Sequence, residues 1–296
     1  VELTDPDIVS TSYGLYEDAY KAAYTGNGDW TGILVAYDEL FLVGNAQGTT
    51  FVFSSGDSAG LGGFAATYFF GGTTPAIAGV EAFADDPNVT AVGGTNLETN
   101  HTGGSLDSTY LAESEYGDPE VNGDPYGTGG TLTGLMWGSG SGVSNIWAKP
   151  SYQSGLTGSG RLMPDLSMHM GGCPGDAVSS SCTTDTSYDY AYIGGSQAGL
   201  IGTSAAAPEF AGWMAMLEQL TGSRFGNVNP DLYYFNGTPY LFRQNIPGNN
   251  GVITVTSPYT GYSGITGLGT PDLETLLTAL GYSVPAAGVP QTASNP

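Results

Sequence analysis

Positive charge is what this sequence has least of: five Lys and Arg stand against 28 Asp and Glu in 296 residues, a formal net charge of -23. A surface so short of cations repels the phosphates of nucleic acid and the headgroups of anionic membranes, so neither is an expected partner. Histidine is nearly absent as well. His101 and His169 are the only two, and both stand among polar or sulfur-containing neighbours and read as loop or surface residues. Cysteine is confined to Cys173 and Cys182, inside a Gly/Ser/Asp-rich stretch, where a disulfide pinning the loop is the expected use. No apolar run reaches transmembrane length, and Val1 to Asp7 lacks a starting Met and the basic and apolar regions of a signal peptide. Val1 therefore reads as a processing or trimming point.

The acids that are present carry a second message. Carboxylates that repel one another at neutral pH lose their charge as the pH approaches their intrinsic pKa values. A halophilic surface would also be acidic but would be dense in charge, whereas charged residues make up only 11% of this chain. An exported protein of an acidic environment is the expectation. Sequons at Asn88, Asn100 and Asn236 agree with export.

The chain is long enough for a well-buried core. Ile8 to Gly14 reads as a strand ending in glycine, with a polar helix following from Glu17 to about Tyr24. Gly32 to Val43 reads as a helix or a strand pair. Thr49 to Ser55 and Asn88 to Val92 read as short buried strands, each stopped by glycine. Strands alternating with helical stretches predict a mainly parallel sheet covered on both faces, with the functional loops beyond the strands' carboxyl ends. Thr99 to Gly142 is rich in Gly, Ser, Thr, Asp and Tyr and reads as a long surface loop within one domain, although Val143, Ile146 and Trp147 require packing partners. Residues 1–283 are expected to form one domain, and the Pro/Ala/Ser-rich stretch 284–296 a tail or linker.

The sharpest local signal is Gly199 to Pro208, with Gly202-Thr203-Ser204-Ala205-Ala206-Ala207-Pro208 leading into the apolar run Phe210 to Leu217. Small residues around one hydroxyl, at the start of a buried helix, leave room for a peptide backbone and aim the positive helix end at developing negative charge. Pro208 is tolerable if it falls in the helix's first turn. A serine before a helix more commonly serves as an N-cap; the steric room raises Ser204 above that use.

Gly202 to Pro208 resembles the nucleophile motif shared by subtilisin-like peptidases and sedolisins. Ser54-Ser55-Gly56-Asp57-Ser58 is similar to the sedolisin motif whose aspartate supplies the oxyanion-hole carboxyl. Ser10-Thr11-Ser12-Tyr13-Gly14, Ala91 to Thr95, Trp137 to Ser144, Lys149 to Gln153 and Arg161 to Ser167 resemble further landmarks of that family. The resemblance covers roughly residues 8 to 280. It implies an α/β subtilisin-like fold with long Gly/Ser-rich surface loops. It also implies a serine-carboxyl peptidase acting at acid pH on peptides or proteins, with Ser204 as nucleophile and a protonated Asp57 as oxyanion donor. Ser12, Tyr13, Gly14, Ser139, Gly140 and Thr203 fall on the substrate cleft, and Arg161 and Asp165 read as structural.

Two departures from that pattern stand out. The family's calcium carboxylates are replaced by Gln244 and Ser263, with Asn245 alongside, so no tightly held calcium and no other cofactor is expected. The family's base, a glutamate four residues from an aspartate on a helix upstream of the Tyr13 strand, has no place before residue 8. Glu81 and Asp85 have the same spacing but lie after Asp57, and read as a solvated helix face. The expectation is an incomplete peptidase domain whose Glu-x-x-x-Asp pair comes from an amino-terminal fragment. The alternatives are a catalytically inactive binding or structural protein on the same fold, and an acidic carbohydrate-binding protein suggested by 19 Tyr and four Trp. Endopeptidase and exopeptidase action are not separated by the sequence.

Overall fold

The computed structural model describes residues 4–21, 28–62, 78–101, 108–118, 137–171, 189–238, 240–250, 252–256, 259–279 and 282. Its centre is a five-stranded sheet. β1 (Ile8–Thr11) runs parallel to β2 (Thr50–Ser54), which runs parallel to the start of β3 (Thr90–His101). The far half of β3 pairs antiparallel with β4 (Ser108–Glu115). After the two-residue ladder of β5 (Gly117–Asp118) with β6 (Trp137–Gly138), β7 (Gly142–Ala148) and β8 (Gly160–Met163) pair antiparallel. β9 (Leu166–His169) returns to the central sheet parallel to β3, and β10 (Asp189–Ile193) with β11 (Ser196–Leu200) forms a hairpin before the long helix.

Period-two alternation along β2 separates the two layers. Phe51 and Phe53 point to one side, where α1 (Thr31–Ala46) packs Leu34 and Phe41 against them; the Phe41 ring lies 4.9 Å from Phe51 and 5.5 Å from Phe53. Val52, with Val92 and Leu166, points to the other side and meets Ala206, Ala207 and Phe210 of α2 (Thr203–Thr221). Each buried aromatic or aliphatic side chain contributes roughly 1.5–3 kcal/mol, so the sheet is fixed from both faces. The expected parallel sheet with helices on both faces is what the chain forms. Among the described residues no helix is long and apolar enough to cross a membrane.

α2 is preceded by Gly202 at its N-cap, whose φ of 105° favours glycine, and is followed by Gly222 in the left-handed conformation with its N–H on the Glu218 carbonyl. Pro208 is the sixth residue of this helix rather than part of its first turn. Its missing N–H frees the carbonyl four residues back, that of Ser204.

Arg161 and Asp165 are structural, as expected. Both are fully buried, 2.5 Å apart, and Asp165 also accepts the Ala91 N–H and the Tyr233 hydroxyl. Several readings of the chain need correction. Residues 17–20 form a single 3-10 turn, Glu17–Tyr20, and residues 22–27 lie outside the described residues. β4 and the extension of β3 to His101 occupy part of what reads as loop, because their polar residues find partners across an antiparallel ladder between the two consecutive strands. His169 is no loop residue: it ends β9, with Nε2 3.4 Å from Asp189. Glu81 and Asp85 are not on a solvated helix. They sit in a turn whose apolar members Ala82, Phe83 and Ala84 are core residues, which draws the acids inward and buries Asp85 completely.

Cys173 and Cys182, the stretch 119–136 and the tail 284–296 lie outside the described residues.

Candidate active site

Two loops at the carboxyl ends of β1 and β2 and the first turn of α2 converge on one cavity of about 230 Å³, lined by Ser12, Tyr13, Gly14, Ser54, Gly56, Asp57, Ser58, Glu81 and Ser204. Loops beyond strand ends are where a parallel sheet places its ligands. Ser204 lies on the second helical residue and is exposed. Its carbonyl, freed by Pro208, accepts the Ser12 hydroxyl at 3.1 Å. That bond ties the strand-end loop to the helix start and fixes the backbone from which the Ser204 hydroxyl projects.

Asp57 is held by the residue before that serine. Its Oδ1 accepts the Thr203 backbone N–H at 2.7 Å and the Thr203 hydroxyl at 3.1 Å, and the same hydroxyl also accepts the Gly56 N–H at 3.1 Å. With Oδ1 occupied as an acceptor, a proton on this carboxyl belongs on Oδ2. Burial raises the Asp57 carboxyl above the ordinary aspartate range, against the lowering effect of the two Thr203 bonds. Gly202 makes room for Oδ2: a side chain there would place its Cβ 2.8 Å away.

Of the residues expected on the cleft, Ser12, Tyr13, Gly14, Asp57 and Ser204 line the cavity, and Thr203 braces it from behind. Tyr13 is 67% exposed and free to meet a ligand. Ser139 and Gly140 stand one layer back. Ser139 is fully buried, its Oγ accepting the Gly94 N–H, while Gly140 donates its N–H to the Gly56 carbonyl at 2.7 Å and packs against the Ser55–Gly56 backbone. They support the Asp57 loop without reaching the cavity.

Glu81 is the residue that the sequence reading missed. Its carboxyl enters the same cavity, and burial together with the Asp57 charge pushes it up to about 8. The available signal was an acid standing alone in the apolar run Val80-Glu81-Ala82-Phe83-Ala84. Deeper, Ser144 Oγ lies 2.6 Å from Glu17 and 2.9 Å from Asp85 while accepting the Ile146 and Trp147 amides. One hydroxyl proton cannot serve both acids. Burial, with Glu17 opposite, raises Asp85 well above its ordinary range, so Asp85 keeps its proton to higher pH than a free aspartate does.

Among the described residues no imidazole or carboxylate accepts a hydrogen bond from the Ser204 hydroxyl. His169 is engaged instead by Asp189 and the Thr95 carbonyl. Nor does any group of three His, Cys, Asp or Glu among them have the geometry of a metal site. In the stretch expected to depart from calcium ligation, Gln244 Oε1 accepts the Gly261 N–H, Asn245 Oδ1 the Tyr259 N–H and Ser263 Oγ the Ile265 N–H. Neutral oxygens already serving amides fit Ca²⁺ poorly.

A serine on the opening turn of a buried helix, joined through its neighbour to a half-buried acid at the end of a parallel sheet, defines a subtilisin-like class of fold. The sequence profile of the subtilase family matches residues 2–231. Sedolisin of Pseudomonas sp. (strain 101) is 32% identical over 241 residues, covering 80% of this chain and 34% of its own length. Kumamolisin of Bacillus sp. (strain MN-32) is 29% identical over 287 residues, covering 93% of this chain and 42% of its own. The solved structure of Pseudomonas sedolisin, a serine-carboxyl proteinase complexed with two molecules of pseudo-iodotyrostatin, superimposes with a TM-score of 0.69 at 27% identity. It covers 93% of this chain and 65% of that one. The chain belongs to the subtilase family and, within it, to the group represented by the sedolisins. It spans well under half the length of the curated relatives it matches.

Proposed function

We propose that this chain is the nucleophile-bearing part of an acid-acting serine-carboxyl peptidase that cleaves peptide or protein substrates by acyl transfer through Ser204. The observation that carries this reading is the linkage Ser204–Thr203–Asp57 on one cavity. Ser204 Oγ attacks the scissile carbonyl, the leaving amine departs with a proton, and water hydrolyses the acyl-enzyme. The Oδ2 proton of Asp57 faces the oxyanion, which requires an un-ionised carboxyl and so favours acid.

The base comes from a polypeptide segment outside residues 1–296 that carries a Glu-x-x-x-Asp pair. A hydroxyl needs a base within roughly 2.6–3.2 Å, and no described residue takes that position. Glu81 is unsuited to the role below neutral pH because its carboxyl keeps its proton there. Two surface features support a partner segment. Among the described residues β1 pairs only with β2, leaving one strand edge free, and α1 exposes Ile33, Val35, Tyr37, Leu40, Leu42 and Val43.

An exported, acidic location follows from the same reading, with a Cys173–Cys182 disulfide and no tightly bound calcium. If the producer is eukaryotic, sugar is expected at Asn100 or Asn236, which are exposed, rather than at Asn88, whose Nδ2 donates to Asp38 at 2.7 Å.

Mass spectrometry of the native particle, with peptide hydrolysis assayed from acid to neutral pH, tests the proposal. Hydrolysis abolished by Ser204→Ala and dependent on the second segment supports it. Hydrolysis by residues 1–296 alone rejects the partner. A complete particle that binds peptides without cleaving them favours the inactive scaffold.

A further inference from the structure

The cavity beside Ser204 holds two carboxyls, and the second has a seat built for it. A Cβ on Gly14 would lie 2.4 Å from Glu81 Oε2, and one on Gly56 would lie 2.6 Å from Oε1. Glycine at both positions is what admits the carboxyl, and Gly56 immediately precedes Asp57. Among the described residues no Lys, Arg or His lines this cavity.

We propose that Glu81 is a positioning residue of the site: with Asp57 it forms a carboxyl pair that shares one proton, and it returns that proton to Asp57 as the oxyanion forms. The proposal rests on the serine-carboxyl reading above. The groups facing Glu81 are Asp57 from the loop after β2, Tyr13 from the loop after β1, and the uncharged start of α2 at Ser204. Asp85, four residues along its own turn, is engaged by Glu17 and Ser144.

Like charges confined in one cavity do not ionise together. Both carboxyls are raised by burial, and the Asp57 charge raises Glu81 further, to about 8. The two Thr203 bonds favour ionising Asp57 first, so the remaining proton rests on Glu81. When an oxyanion develops near Asp57 Oδ2, the preference reverses. No direct hydrogen bond joins the two carboxyls, so the proton passes through water in their shared cavity of about 230 Å³: the Glu81 O–H bond breaks, an Asp57 Oδ2–H bond forms, and Glu81 becomes a carboxylate; collapse of the tetrahedral intermediate returns the proton. The pair supplies an oxyanion donor until its second proton is lost, which extends the pH range beyond that of Asp57 alone.

The test uses the complete processed enzyme and a fluorogenic peptide, comparing pH profiles of kcat/KM for wild type, Glu81→Gln and Glu81→Asp. Glu81→Gln is expected to move the alkaline limb to lower pH by one unit or more, with Glu81→Asp between the two. An unmoved limb, with wild-type hydrolysis intact and Ser204→Ala inactive, overturns this inference alone. Should wild type hydrolyse nothing, infrared titration still decides. A protonated-carboxyl band that persists to pH 7 and is missing from Glu81→Gln supports the shared proton, and its absence from wild type rejects it.

Discussion

Ser12 donates its hydroxyl to the carbonyl of Ser204 at 3.1 Å, across 192 residues of sequence, and that carbonyl is available because Pro208 has no N–H to give it. The proline and the Ser12 hydroxyl therefore act as one device that holds the nucleophile's backbone. Ser12→Ala leaves the carbonyl without its protein partner and should lower kcat/KM of the complete enzyme by up to about tenfold, the scale of a single hydrogen bond. Pro208→Ala supplies a helical N–H to the same carbonyl, so the double variant should recover most of that loss. A double variant with additive losses would show that the two residues are not coupled.

The Glu17–Asp85 pair predicts that the fold is steadier in acid. Asp85 is raised in the folded state above the ordinary aspartate value of about 3.9, so its contribution is fully present below that pH. It is lost as pH rises through the raised folded value. Melting temperature should fall between acid and neutral pH, and Asp85→Asn, which can still donate to Glu17, should flatten that slope. A slope unchanged in Asp85→Asn would place the effect on other acids.

The serine and the first acid were legible in the sequence because each lies in a local pattern, Gly202 to Pro208 and Ser54 to Ser58, whose meaning needs no distant partner. The parallel layer was legible from the apolar run of β2. Glu81 and Asp85 were not, since a carboxyl's fate depends on what the fold brings to it: Gly14 and Gly56 for one, Glu17 and Ser144 for the other. β4 was hidden for a similar reason. Its residues Glu113 and Ser114 read as loop until β3 supplies Leu97 and Asn96 opposite them.

Arg161 and Asp165 form an ion pair with no access to solvent. Arg161→Met strands the Asp165 charge among the Ala91 amide and the Tyr233 hydroxyl. Chemical denaturation should show a loss of about 3–5 kcal/mol, the cost of breaking a buried pair from one side. A loss below about 1 kcal/mol, the scale of a surface pair, would mean the site is wetter than its burial implies.

Calcium should leave this protein indifferent. With Gln244, Asn245 and Ser263 accepting amides, added CaCl₂ or EDTA is expected to move the melting temperature by less than ~1 °C, since a ligand that does not bind shifts no equilibrium. Gln244→Asp with Ser263→Asp restores two carboxylates and should make stability depend on calcium. Strong stabilisation of the wild type by calcium would contradict the assignment.

The exposed side of α1 carries the last prediction. Val35 and Leu42 are each 49% exposed and stand seven residues apart, so they lie on one helical stripe. That apolar stripe, together with the β1 edge that pairs with no other strand among the described residues, suits a second segment that adds a strand to the sheet and a helix over it. Val35→Asp with Leu42→Asp should change the stability of residues 1–296 by no more than about 0.5 kcal/mol per site, as exposed substitutions do. The same charges would be buried in the two-segment particle, where each isolated carboxylate is strongly disfavoured. Association of the segments, followed by analytical ultracentrifugation, should weaken at least tenfold, and Ser204-dependent hydrolysis should fall with it. Unaltered association would place the partner elsewhere. A large loss of stability in residues 1–296 alone would show that α1 is covered by this chain's own residues.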